Sequence, residues 1–142
     1  MVGVDGSPGA DRALLWAADD AQRRHACLEV VLAWEAPVQI IGGAGWVIPN
    51  SETLAEYERQ AWERLEGILA PHAAALERLD VRRSAIHGVP AAVLLAQAKD
   101  AVELVVGTRG RGDFVGLLLG SVSHQCAQHS PCPLVIVPRH AR

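Results

Sequence analysis

With 142 residues the chain is sized for one domain, spanning 1–142, whose core needs neither disulfide nor metal to hold it. Thirteen cationic against sixteen acidic side chains leave a formal charge of −3, which argues against a nucleic-acid partner, where a basic field is expected. The longest uninterrupted apolar runs, 13–18 and 91–96, fall far short of the roughly 20 residues a bilayer requires, so no membrane partner is expected.

The cationic side is twelve Arg and one Lys, Lys99, which follows no glycine-rich loop and therefore excludes a Walker-type P-loop. Three cysteines, Cys27, Cys126 and Cys132, make an odd count without framework spacing and favour a reducing compartment. The opening residues show no basic stretch leading into an apolar one, so no signal peptide is read and a cytoplasmic location is expected.

Residues 1–5 form a short extended run ended by the turn residues Gly6-Ser7-Pro8-Gly9. Ala10, Ala13, Leu14, Ala17 and Ala21 then recur at helical spacing. Residues 28–34, Leu-Glu-Val-Val-Leu-Ala-Trp, read as a buried strand. The stretch 35–50, with two Pro and three Gly, is expected to be an irregular surface loop, with Trp46 exposed or folded back over a site.

A long helix follows. Asn50 or Ser51 caps it, Leu54, Tyr57, Ala61, Leu65 and Ile68 line one face, and Pro71 ends or kinks it. Its charged residues, Glu56, Arg59, Glu63, Arg64 and Glu66 among them, are expected to form a solvated face. Residues 80–86, carrying Arg82 and Arg83, look like an edge strand. Pro90 suits the first turn of a helix over 91–99, and 102–106 is a short apolar strand. A glycine-rich loop over 107–119 leads to a last helix at 120–130, and prolines bracket a final strand, Leu-Val-Ile-Val.

Strict β-α alternation with short connections predicts an α/β fold: a single five-stranded parallel sheet with helices on both faces. Ligands of such sheets sit beyond the carboxyl ends of the strands, at the point where connections reverse direction. With strand order 3-2-1-4-5 that point lies between the first and fourth strands. Asp5-Gly6-Ser7 follows the first, and Gly107-Thr108-Arg109-Gly110 follows the fourth.

The loop after the fourth strand carries the chemistry. Gly107, Gly110, Gly112, Gly116 and Gly120 let the main chain approach an anion without a Cβ in the way. Gly120-Ser121 opens a helix whose amides and dipole favour phosphate. The hydroxyls of Ser121 and Ser123 can donate to phosphate oxygens, and Arg109 and Arg111 can supply charge. Asp5, an acceptor when ionised, suits ribose hydroxyl or adenine amino donors better than phosphate. The plainer reading makes the glycines a long turn and Ser121 an ordinary cap. A dinucleotide fingerprint fits poorly: Gly116 comes one residue too late after Gly110-Arg-Gly112, and the loop follows the wrong strand.

The spacing Gly107-x2-Gly110-x9-Gly120-Ser121 resembles the phosphate-binding motif in the ATP-binding branch of the universal stress protein family. The opening Val-Gly-Val-Asp-Gly-Ser-Pro and the closing Ser-Pro-Cys-Pro-Leu-Val-Ile-Val-Pro are similar to that family too, so the resemblance covers almost the whole chain. It implies an adenine-nucleotide-binding α/β fold of the adenine nucleotide alpha hydrolase type, with order 3-2-1-4-5. It further implies Asp5 at the adenosine end beside Gly3 and Val4, with Trp34 or its main chain bordering adenine. Val106, Gly107, Thr108, Arg109, Gly110, Gly120, Ser121, Val122 and Ser123 would lie around ribose and phosphates.

The nucleotide implied is ATP, or AMP or ADP, with Mg2+ travelling with the triphosphate. Members often dimerise through the last strand, which implies a homodimer here. Two departures stand out: the first strand is shorter than usual, and Trp34 is bulky for its position, which leaves open a ring turned away and a main-chain contact alone.

His124, Cys126, His129 and Cys132 resemble a metal string, but at about 100° per residue His124 and Cys126 point some 200° apart on a helix. No metal site is expected, and with no nucleophile–base pair evident no catalytic residue is assigned. The expected function is a nucleotide-dependent regulatory or stress-response role with at most slow hydrolysis. The alternatives are a dimeric scaffold that binds no nucleotide, and an adenylating enzyme with a second pocket at 35–50.

Overall fold

The computed structural model describes residues 1–37, 39–41, 45–47, 50–108 and 119–138. Its strands are β1 (Val2–Gly3), β2 (Leu28–Trp34), β3 (Gln39–Ile41), β4 (Gly45–Val47), β5 (Val81–His87), β6 (Leu104–Gly107) and β7 (Leu134–Val137). Its α-helices are α1 (Pro8–Arg24), α2 (Ser51–Leu69), α3 (Ala73–Leu76), α4 (Pro90–Gln97) and α5 (Ser121–His129).

Five strands form one parallel sheet in the order β5-β2-β1-β6-β7, which is the expected 3-2-1-4-5 arrangement of its members. β1 is short but central: Val2 pairs with Val30 on one side and Val105 on the other. β2 and β5 run in register over seven pairs, from Leu28↔Val81 to Trp34↔His87.

Helices cover both faces, and the strand sequences show why. Val30 and Leu32 alternate with Val31, so β2 feeds two apolar layers at once. One layer joins Val2, Val30, Leu32 and Val105 to Leu14 and Ala17 of α1 and Leu65 of α2. The other joins Val31, Leu104 and Val106 to Val93 and Leu94 of α4 and Cys126 of α5. Each fully buried Leu here contributes about 1.5–3 kcal/mol by leaving water.

Asn50 is the residue that caps α2: its Oδ1 accepts the Thr53 amide at 2.9 Å and the Thr53 hydroxyl at 2.7 Å. The α-helix stops at Leu69, and the chain turns through a 3-10 segment, Ala70–His72, containing Pro71. A proline ring cannot accept the next helical turn behind it, so the chain tightens there and resumes as α3. Val102, expected to open a strand, is 69% exposed, and β6 begins only at Leu104.

One expectation is corrected. Within 35–50 the chain is not an irregular loop throughout: β3 and β4 pair antiparallel as a separate two-stranded ribbon, Gln39↔Val47 to Ile41↔Gly45. The triplets Gln-Ile-Ile and Gly-Trp-Val carry β-branched and aromatic residues that suit strands. The side chain of Trp46 lies outside the described residues.

Candidate functional site

β1 leads into α1 on one face of the sheet, and β6 is followed by α5 on the other, so connections diverge between two adjacent strands. In parallel sheets such a divergence, beyond the carboxyl ends of β1 and β6 here, is the place where ligands bind.

On the β1 side, Asp5 is half-buried and its Oδ1 accepts the Ser7 amide at 2.9 Å. Gly6 takes φ 76°, a left-handed conformation that a side chain would oppose. Ser7 then caps α1, its hydroxyl oxygen accepting the Ala10 amide at 3.2 Å. The main-chain carbonyl of Asp5 accepts from Arg64 Nη2, on α2, at 2.5 Å.

Arg64 was expected on a solvated face, and there the structure corrects the sequence. Arg59 does lie on that face, paired with Glu56 and Glu63, and its hydrogen bond pulls the Glu56 carboxyl down to about 2. Arg64 instead is half-buried and turned toward β1. The signal was present: Tyr57, Ala61, Arg64 and Ile68 step by four, three and four, so Arg64 lies along the apolar stripe. A long aliphatic stem lets an arginine run over apolar surface and deliver its charge beyond it.

On the β6 side, the Thr108 carbonyl accepts twice, from the Gly120 amide at 2.7 Å and from the Ser123 hydroxyl at 2.8 Å. Thr108 also donates its amide to Val137 on β7 at 3.0 Å. Strand end and helix start are thereby tied together across the intervening segment. Gly120 is the N-cap of α5 and, having no side chain, offers no capping group to the first-turn amides. Ser121 is exposed, Val122 half-buried and Ser123 only 2% exposed. The Ser123 hydroxyl directs its proton to main-chain carbonyls, so the amide is the group it has for an anion.

Gly107 has a reason unrelated to anions. A Cβ built there would lie 2.7 Å from the carbonyl carbon and oxygen of Gly9, in the first turn of α1. Two bare backbones meet at that point, which brings α1 close to the end of β6. At Gly3 a Cβ would meet the Leu94 side chain at 2.7 Å, so its bareness seats α4. Val4 and Val106 are core residues, 5% and 4% exposed.

The Trp34 ring lies against the core on the α1–α2 face and stacks on His87, with centroids 4.6 Å apart and planes inclined at 37°. Its carbonyl accepts the Gly88 amide at 2.8 Å, while its indole N–H is buried with no hydrogen-bond partner among the described residues. Leaving such a donor unpaired costs about 1–3 kcal/mol. Arg109 and Gly110, with Arg111, Gly112 and Gly116, lie outside the described residues.

Of the metal-like string, His124 and His129 are exposed, Cys126 is buried and Cys132 is half-buried. Burial pushes the Cys126 thiol up, away from the thiolate a metal would need. Among the described residues no three His, Cys, Asp or Glu side chains come together as a metal site. No described helix is long and apolar enough to cross a membrane.

The profile of the Universal stress protein family matches residues 1–138. Universal stress protein Rv1996 of Mycobacterium tuberculosis is 32% identical over 155 residues, a match covering 100% of this chain and 48% of that protein. A universal stress protein of Mycolicibacterium smegmatis is 35% identical over 137 residues, covering 96% of this chain and 44% of that protein. The chain thus spans just under half the length of these curated relatives. Among solved structures, a universal stress protein in complex with cAMP is 26% identical with a TM-score of 0.69, covering 96% of this chain and 93% of the other.

Proposed function

The chain belongs to the universal stress protein family, and from that premise we propose that it binds an adenine nucleotide as a regulatory ligand in a stress response. The ligand of this reading is ATP with Mg2+, or its mono- or diphosphate product, in the crevice between β1 and β6. The observation that carries it is the glycine N-cap of α5, fastened at the end of β6 beside β1. An anion there meets the positive end of the helix and its first-turn amides without a side chain between them. The 26%-identical protein crystallised with cAMP adds support from an adenine nucleotide in a related fold.

Within this reading Gly120, Ser121, Val122 and Ser123 hold phosphate, with Gly107, Thr108, Arg109 and Gly110 around it. Asp5, beside Gly3 and Val4, accepts from ribose or the adenine amino group. The orphaned Trp34 indole N–H fits the base end, since a ring nitrogen of adenine would satisfy it. Mg2+ supplies charge neutralisation to the triphosphate when bound. Hydrolysis is slow because main-chain amides and the Ser121 hydroxyl bind phosphate charge without orienting or deprotonating an attacking water.

Mass spectrometry of small molecules released on denaturing the freshly purified protein tests the reading, together with calorimetry using AMP and ATP. Recovery of an adenine nucleotide, or saturable binding of one, is the expected result. Neither at millimolar nucleotide would favour the scaffold instead.

The same reading makes the protein a cytoplasmic homodimer. An exposed thiol at Cys27 suits a reducing compartment. β7 is an edge strand bracketed by Pro133 and Pro138, which suits pairing with one further copy and discourages longer addition. Light scattering should give twice the 15.1 kDa chain mass, and a monomer at all concentrations would defeat this part of the reading.

A further inference from the structure

We propose that Arg64 is a positioning residue for the nucleotide site and acts through the backbone of Asp5. The inference rests on the reading above, in which the Asp5 carboxylate faces adenosine.

Asp5 sits where β1 gives way to α1, and its neighbour Gly6 has φ 76°. A glycine has no Cβ to limit rotation, so the peptide joining Asp5 to Gly6 is soft by nature. Two bonds among the described residues are aimed against that softness. The carboxylate is held from within the turn by the Ser7 amide at 2.9 Å. The carbonyl is held from outside it by Arg64 Nη2 at 2.5 Å, a contact spanning 59 positions of sequence. Bonds from an ionised donor are roughly twice as strong as neutral ones, and this one is partly shielded from water.

Removing the guanidinium takes away one restraint on the peptide, and any rotation there displaces the Ser7 amide that holds the Asp5 carboxylate. The direction in which Asp5 presents its oxygens therefore depends on a residue from α2. Arg64 itself need not touch ligand. The consequence is specific to the adenosine end: a nucleotide should lose the same factor in affinity whether it carries one phosphate or three. An arginine that met the β- or γ-phosphate directly would penalise ATP far more than AMP.

The experiment is calorimetry with AMP and with ATP on wild type, Arg64→Met, Arg64→Lys, Asp5→Asn and the Arg64→Met/Asp5→Asn double variant, each checked for folding by circular dichroism. Arg64→Met should weaken both ligands by about tenfold, the size expected for loss of one charge-assisted bond. Arg64→Lys, which keeps one charged donor, should recover most of that loss. The double variant should bind little worse than Asp5→Asn alone, because the two residues act as one unit.

Wild-type affinity in Arg64→Met, strictly additive losses in the double variant, or a loss confined to ATP would each overturn the proposal. Should Arg64→Met not fold, Arg64→Lys decides: a small loss equal for AMP and ATP supports the proposal, and a loss confined to ATP overturns it. A wild type that binds neither nucleotide defeats the nucleotide reading and this proposal together, whereas a binding wild type matched by Arg64→Met defeats this proposal alone.

Discussion

Gly120→Asp should leave the fold at least as stable as wild type while weakening ATP binding by about 100-fold or more. Gly120 has φ −72° and ψ 168°, a conformation open to any L residue. Aspartate is among the best N-caps, and a negative charge beside a helix N-terminus adds about 0.3–1 kcal/mol. The melting temperature should therefore hold or rise.

The same carboxylate occupies the first-turn amides and repels phosphate. At about 4 Å and an effective dielectric near 20, two like charges cost about 4 kcal/mol before screening. Gly120→Asn, which caps without charge, should lose less. Calorimetry with ATP beside a thermal melt reads both effects, and unchanged ATP affinity in Gly120→Asp would remove the phosphates from α5.

Gly107→Ala is expected to act in the opposite sense, on stability first. The added methyl would sit 2.7 Å from the Gly9 carbonyl carbon and oxygen and 3.2 Å from the Ala10 nitrogen, all backbone atoms. No rotamer change relieves contact with a backbone, so α1 must move off the end of β6. Overpacking of this kind costs about 1–3 kcal/mol. For a chain of this size that is a fall of roughly 3–10 °C in melting temperature.

Gly67 provides the contrast, since a Cβ there meets nothing within 4 Å, and Gly67→Ala should stabilise α2 by about 1 kcal/mol. A wild-type melting temperature in Gly107→Ala would mean that the Gly9–Gly107 approach does not hold α1 in place.

The sheet was legible because its parallel strands are covered on both faces and must be apolar throughout. Val30, Val31 and Leu32, like Leu104, Val105 and Val106, show this as unbroken runs. The divergence of connections between β1 and β6 followed from the topology, which the order of the sheet bears out. Gly107 was legible as a position needing bareness but not in its purpose: nothing in the sequence says that Gly9 lies opposite it.

The place of Arg64 along the apolar stripe was legible in the spacing, but its partner was not. A charged residue beside an apolar stripe reads as solvated until something distant, here the Asp5 carbonyl, gives the charge a destination. The β3–β4 ribbon was missed because three-residue strands carry too little alternation to outweigh their glycines.

The doubly used carbonyl of Thr108 makes the chain's glycine-rich insert a clasped one. Its two feet are pinned to each other and, through Val137, to the neighbouring strand. Closing such a segment incurs its entropic penalty once, in the fold, and that penalty grows only slowly with length. The bonds at the feet are made by main-chain groups and by Ser123, so the sheet below is held by residues outside the insert itself.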